Sequence, residues 1–214
     1  MVVASIVPVK ALAVSKKRLS TVLSPQERAD LTISMLKDVL RALKLSEVTQ
    51  IIVTSSDHTI HQVANRLNVS YLSENQTGLN QALEQATQWL NLTHSDSLLI
   101  IPSDIPLVSP EDIAQIMKLD TDEKSVVLSS SQDGGTNALF KRPPDLIPAC
   151  FGPNSYMRHI KEAYAKGVEP KIYRSSRISM DIDSAEDLKK FFAIQSDTVS
   201  RRFLEQLSLD CRFV

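Results

Sequence analysis

The chain has 214 residues, 43% of them hydrophobic, with 24 Lys or Arg against 25 Asp or Glu and a formal net charge of −1 at pH 7. That length supports one core of ordinary domain size, and near-neutrality removes the whole-protein field that would hold a nucleic acid or an anionic membrane. No run approaches the ~18 apolar residues of a spanning helix, the N-terminus lacks a signal-peptide pattern, and Cys150 and Cys211 have no metal or disulfide spacing. A cytoplasmic protein with two free thiols is expected, with neither nucleic acid nor membrane as partner.

Val2 to Val9 is an apolar run broken only by Ser5 and Pro8, and reads as a buried first strand. Lys10, Lys16, Lys17 and Arg18 follow it. Such a loop could receive a polyphosphate at the sheet edge or could simply be solvated. No GxxxxGK[ST] or GxGxxG cradle is present, so any positive charge on a phosphate must come from side chains. Ser24-Pro25-Gln26-Glu27 carries the capping-box pattern of a helix start, and Ala29, Ile33, Leu36, Leu40 and Leu43 form the apolar stripe behind it. Thr49 to Ser55 reads as a second buried strand and Ile60 to Leu67 as a helix. His58 and His61 lie three apart, but no carboxylate or cysteine stands at a spacing that completes a metal site.

Thr77-Gly78-Leu79-Asn80 opens a helix to about Trp89. Gly78 permits close backbone approach, and Asn80 offers donors and an acceptor to a base edge or ribose, or merely caps the helix. Ser97 to Ile101 is a wholly apolar strand candidate, buried on both faces, that runs into Pro102-Ser103-Asp104-Ile105-Pro106. A carboxylate at the carboxyl end of a central strand is placed to hold a divalent cation against a phosphate, because ligands of open α/β sheets bind there. The alternative is that Asp104 caps a turn before Pro106. Ser109-Pro110-Glu111-Asp112 begins another helix, and the alternation predicts an α/β fold with a doubly wound, mostly parallel sheet.

Ser125 to Ser130 reads as a strand, followed by Asp133-Gly134-Gly135 and Thr136 to Lys141. The paired glycines either turn a hairpin or let an anion approach beside the Thr136 hydroxyl. Phe151-Gly152-Pro153-Asn154-Ser155 precedes an amphipathic helix capped by Asn154 or Ser155, and His159 should share the face of Ser155. The free N–H groups at such a helix start form an anion site. Asp181 and Asp183 point the same way if extended, and then repel unless a cation or a proton intervenes. Ser184 with Asp187 marks one more helix start, and a further helix is expected around Arg201 to Leu207.

Taken in order, Val7-Pro8-Val9-Lys10 with Lys16-Lys17-Arg18-Leu19, Gly78-Leu79-Asn80, Ser103-Asp104-Ile105-Pro106-Leu107, Gly134 to Leu139, Phe151 to Ser155 and Asp181-Ile182-Asp183 resemble the CofC/FbiD guanylyltransferases of coenzyme F420 biosynthesis. The resemblance spans roughly residues 2 to 191. It implies a nucleotidyltransferase (MobA-like, Rossmann-like) domain over residues 1–195, leaving 196–214 as a helical tail. It also implies transfer of GMP from GTP to a small phosphorylated three-carbon acid, either phosphoenolpyruvate or 2-phospho-L-lactate, with 3-phosphoglycerate used by some relatives. The cofactor implied is Mg2+, and a homodimer is one assembly it allows. By the same likeness Asp104, Asp181 and Asp183 would bind the metal. Lys10, Lys16 and Arg18 would lie over the triphosphate and act in catalysis with Asp104, Gly78 and Asn80 would meet the nucleotide, and Thr136, Gly152 and Ser155 would surround the acid. Two departures, Lys17 and Ser103 in place of the family's smaller residues, remove none of these groups. A sugar or molybdopterin nucleotidyltransferase would usually carry a glycine-rich loop after the first strand, and Lys10 to Leu19 contains no glycine. An inactive nucleotide-binding scaffold of the same fold would leave the acidic residues at separate strand ends without a task.

Overall fold

The computed structural model describes residues 2–74, 78–92 and 94–207. Seven strands form, β1 (Val3–Pro8), β2 (Gln50–Ser55), β3 (Ser70–Ser73), β4 (Ser97–Ile100), β5 (Ser125–Ser130), β6 (Thr136–Arg142) and β7 (Lys171–Ile172). They make one sheet in the order β3-β2-β1-β4-β6-β5-β7. All neighbouring pairs are parallel except those of β6, which is antiparallel to both β4 and β5. The expected mostly parallel α/β sheet is the one that forms.

Seven α-helices accompany the strands among the described residues: α1 (Pro25–Lys44), α2 (His58–Arg66), α3 (Leu79–Leu92), α4 (Pro110–Lys118), α5 (Ser155–Ala165), α6 (Ala185–Ala193) and α7 (Val199–Gln206). The starts of α1, α4 and α6 are set by complete capping boxes, from Ser24 with Glu27, Ser109 with Asp112 and Ser184 with Asp187. Leu36, Val39, Leu40 and Leu43 of α1 join Ile60 of α2 and Ile113 of α4 on one face of the sheet. Leu83, Ala86 and Leu90 of α3 pack with Ala163 of α5 on the other. The strands feed both faces, Val3 and Val7 turning to the first layer and Ala4 and Ile6 to the second. A third cluster joins Leu31 and Met35 of α1 to Leu188 and Phe191 of α6 and Leu204 of α7.

The tail helix is therefore part of the packed body. Asp38 of α1 accepts the main-chain N–H groups of Val199 at 2.7 Å and Ser200 at 2.9 Å, together with the Ser200 hydroxyl. A carboxylate contributed by α1 thus serves the free N–H groups at the start of α7. Cys211, and Thr77 before α3, lie outside the described residues. No described helix is long and apolar enough to cross a membrane.

Three local readings become specific. The central strand β4 stops at Ile100, one residue short of the expected Ile101, and Asp104 lies in the turn that follows it. Asp133-Gly134-Gly135 is the hairpin turn between β5 and β6, with Gly134 at φ 85°. At α5 the flanking residue is Asn154, at φ 55° and without a side-chain capping bond, while Ser155 is already in the helix.

Candidate active site

Strand order explains where the functional residues meet. From β1 the chain moves outward through β2 and β3, then returns to place β4 on the opposite side of β1. The crevice at such a switch point, outside the carboxyl ends of the strands, is where open α/β sheets bind ligands. The loop after β1 and the turn after β4 bound it here. β6 runs the other way, so its first residue, not its last, reaches this edge. Ile100 pairs with Leu139, and Thr136 begins the strand just beyond, beside the Pro102–Asp104 turn.

A cleft of about 550 Å³ occupies this edge. Its lining includes Lys10 and Lys16 from the loop after β1, Ser56 after β2, Glu74 after β3 and Gly78 at the mouth of α3. Asp104, Thr136, Gly152, Ser155 and Asp181 complete the part foreseen from the sequence. Arg18 and Asp183 line an adjoining recess of about 120 Å³, which Asp181 also borders. Asn80 is placed differently. Its amide accepts from Phe151 N–H at 2.8 Å and donates to Phe151 C=O at 3.1 Å, so it holds the Phe151-Gly152 loop instead of facing the cleft.

At the floor, Lys16 joins two of the acidic residues. Its Nζ donates to Asp104 Oδ2 at 2.7 Å and to Asp183 Oδ1 at 2.6 Å, and its side chain is only 7% exposed. Residue 16 sits at φ 48°, in the left-handed region between two short 3-10 turns, and this turns the side chain inward. Burial alone would lower the lysine's pKa, but the two carboxylates outweigh it and hold it above 10.5. Burial would likewise raise Asp183, and the ammonium of Lys16, aided by Lys10 and Arg18, keeps it below 3.8.

Asp181 has no such cation. It accepts from Asn137 Nδ2 at 3.1 Å, while burial, with Asp104 and Asp183 adding repulsion, pushes its carboxyl up to about 6. Main-chain bonds set the spacing of the group, since Ile182 N–H donates to Asp104 C=O at 3.0 Å. Among the described residues no three His, Cys, Asp or Glu side chains converge as a metal-binding group. Three carboxylates nonetheless share one corner with a single lysine between two of them.

The opposite wall is neutral. Thr136 and Ser155 are 4% and 1% exposed, and Gly152 stands at φ 116°, a backbone conformation that a side chain would strain. Sequence reasoning placed His159 on the face of Ser155 but gave it no role; it is fully buried behind this wall and bonded to Thr136 at 2.9 Å. Its four-residue spacing from Ser155 was the available signal. Glu74 and Ser56, also cleft residues, follow strands whose ends carry no motif.

The family model described as guanylyl transferase CofC like matches residues 3–214. The chain is 36% identical over 194 residues to a phosphoenolpyruvate guanylyltransferase of Rubrobacter xylanophilus, covering 90% of this chain and 95% of that one. It is 35% identical over 206 residues to a 2-phospho-L-lactate guanylyltransferase of Methanocaldococcus jannaschii, covering 96% and 89%. Among solved structures, a nucleotide-diphospho-sugar transferase of Desulfovibrio desulfuricans superposes with a TM-score of 0.81 at 16% identity, over 100% of this chain and 99% of that one. A nucleotidyl transferase of Methanothermobacter gives a TM-score of 0.60 at 16% identity, covering 96% and 99%. The last two speak to the fold alone; the family match over nearly the whole chain, with relatives above one-third identity, places this protein in the CofC-like guanylyltransferase family.

Proposed function

We propose that the protein transfers GMP from GTP to phosphoenolpyruvate or 2-phospho-L-lactate, releasing pyrophosphate, in the pathway to coenzyme F420. The observation that carries this reading is the lysine-bridged carboxylate corner facing a wall of small hydroxyl and glycine residues across one cleft. A triphosphate carrying a divalent cation would suit the first, and a compact dianion bearing a carboxylate suits the second. The names of the relatives supply the two candidate acids.

In the reaction a phosphate oxygen of the acid attacks the α-phosphorus of GTP. The new P–O bond forms as the bond to the β-phosphate oxygen breaks, and the electron pair leaves with pyrophosphate. An ionised phosphate needs little help from a general base, so positioning and charge stabilisation dominate. Lys10 and Lys16 face the triphosphate, with Arg18 at the adjoining recess, and offset the charge that grows on the leaving group. Thr136, Ser155 and the backbone at Gly152 orient the acid.

The residues fit magnesium, which takes hard oxygen ligands and commonly only one or two protein carboxylates beside substrate phosphates. Asp104 with Asp181 or Asp183 would hold it; Asp181, raised chiefly by burial with repulsion from Asp104 and Asp183 added, carries no cation of its own. Bound there, the ion would screen the two phosphate groups from each other.

The experiment is to supply GTP, Mg2+ and each acid separately, following pyrophosphate and identifying the product by mass. Adduct formation with phosphoenolpyruvate or 2-phospho-L-lactate is expected. Turnover with a sugar 1-phosphate and neither acid would overturn the reading.

A further inference from the structure

His159 is fully buried and makes two directional contacts. Its Nε2 lies 2.9 Å from the main-chain nitrogen of Cys150, a group that can only donate. Nε2 must therefore be the unprotonated, accepting nitrogen of a neutral imidazole, and the ring proton sits on Nδ1. That proton faces Thr136 Oγ1 at 2.9 Å. The ring also packs edge to face against Phe151, with centroids 5.1 Å apart. One side chain thus ties the first residue of β6 to the loop that carries Gly152.

From this geometry we infer that His159 is a positioning residue, which fixes the Thr136 hydroxyl as a hydrogen-bond donor aimed into the acid half of the cleft. With one lone pair of Oγ1 occupied by Nδ1–H, the hydroxyl hydrogen is free to serve an acceptor, and Thr136 lines the cleft. The hydroxyl hydrogen is thereby turned toward an acceptor oxygen such as that of a carboxylate or phosphate. The imidazole does not have to change protonation state for this. Burial, reinforced by Lys141 and Arg158, pulls its pKa down to about 4, so the same tautomer persists across the neutral range. The inference rests on the proposed reading insofar as it takes the bound molecule to be an acid.

Two substitutions separate the contacts. His159→Asn keeps a donor near the Nδ1 position, and His159→Gln keeps an acceptor near Nε2. In variants checked for a cooperative melt, His159→Gln should raise the acid KM about tenfold, as for a lost hydrogen bond to a charged group. The KM for GTP should stay within about twofold, and His159→Asn should restore much of the loss. On a Thr136→Val background the Gln change should add nothing. Equal rises in both KM values, or an undiminished effect without the Thr136 hydroxyl, would overturn the inference. Nitrogen-15 NMR of the wild-type protein needs no variant and no substrate. It should show protonated Nδ1 and unprotonated Nε2 unchanged between pH 8 and about 5.5; the other tautomer, or titration within that range, would refute the proposal. Absence of any acid-dependent turnover in the wild type would instead count against the proposed function.

Discussion

Replacing Lys16 by Met removes the cation that holds Asp104 and Asp183 together while keeping an apolar stem of similar length. A charge-assisted hydrogen bond contributes about 1.5–3 kcal/mol when well buried. The Asp104 and Asp183 side chains are 27% and 47% exposed, so water screens both bonds. Removing the ammonium also removes its own burial cost. With both discounts the net destabilisation is about 2 kcal/mol at pH 7, which lowers Tm by about 4–8 °C in a chain of this size. The sign with pH follows from the shifts. Lys16 is raised above 10.5, so its contribution is complete below that value and lost as pH climbs through the folded pKa. Asp183 is held below 3.8, so its contribution is complete above that value and lost as acid protonates it. The difference between wild type and variant should be flat across the neutral range and shrink at both ends. Because the ammonium holds one oxygen of Asp104 and one of Asp183 and so competes with a cation for part of the site, millimolar Mg2+ should raise the Tm of the variant more than that of the wild type. Turnover should nevertheless be lost. Differential scanning calorimetry over a pH series, with and without Mg2+, reads the melts and pyrophosphate release reads the turnover; an unchanged melt at pH 7 would refute the bridge as a stabilising element.

Arg18→Ala should weaken GTP binding about tenfold and GMP binding little, because only GTP carries the leaving phosphates; equal losses in calorimetry would remove that role. Asp112 is fully buried and accepts from Arg177 at 2.6 and 2.9 Å, from Tyr173 and Ser175 at 2.8 Å, and from Ser109. Asp112→Asn should therefore cost about 3 kcal/mol in urea unfolding at pH 7, and an effect below about 0.5 kcal/mol would contradict the network. Burial opposes ionisation of Asp112 but its partners outweigh it and hold its pKa below 3.8, so this loss should narrow only in stronger acid. Since His159 is depressed to about 4, the unfolded chain takes up the histidine proton first as pH falls. Stability should then drop between about pH 6.5 and 4 by up to about 3 kcal/mol relative to His159→Gln, and parallel pH curves would refute the depressed pKa.

Much of this arrangement is legible in the sequence because the signals are local. Ser24 with Glu27, Ser109 with Asp112 and Ser184 with Asp187 each define a helix start within four residues, and the three capping boxes form as expected. The apolar runs of β1, β2, β4 and β5 are equally plain. Two edge strands are not. β3 reads Ser70-Tyr71-Leu72-Ser73 without a fully buried residue, and β7 has two residues, so neither carries the continuous apolar pattern of a central strand. The reversal of β6 is also invisible locally, since pairing direction depends on which strand lies beside it. Yet that reversal is what brings Thr136 to the same edge as Asp104.

The acidic and basic residues of the site could be named from ordered motifs, but their partners could not. That Lys16 would bridge Asp104 and Asp183 depends on a left-handed residue between two short turns, a tertiary outcome with no glycine to announce it. Asn80 and His159 show the same limit in opposite directions. Asn80 offers groups suited to a nucleotide and commits them to the Phe151 backbone, whereas His159, which its spacing assigns only to a helix face, holds the Thr136 hydroxyl.

The central claim is direct transfer of a guanylyl group to a small phosphorylated acid, and a single-turnover reaction with GTP labelled at the α-phosphate tests it most directly. With enzyme in excess, Mg2+ and phosphoenolpyruvate or 2-phospho-L-lactate present, the label should pass into a GMP adduct of the acid, matched one for one by pyrophosphate. Label released as free GMP, or retained on the protein before the acid is added, would contradict the account.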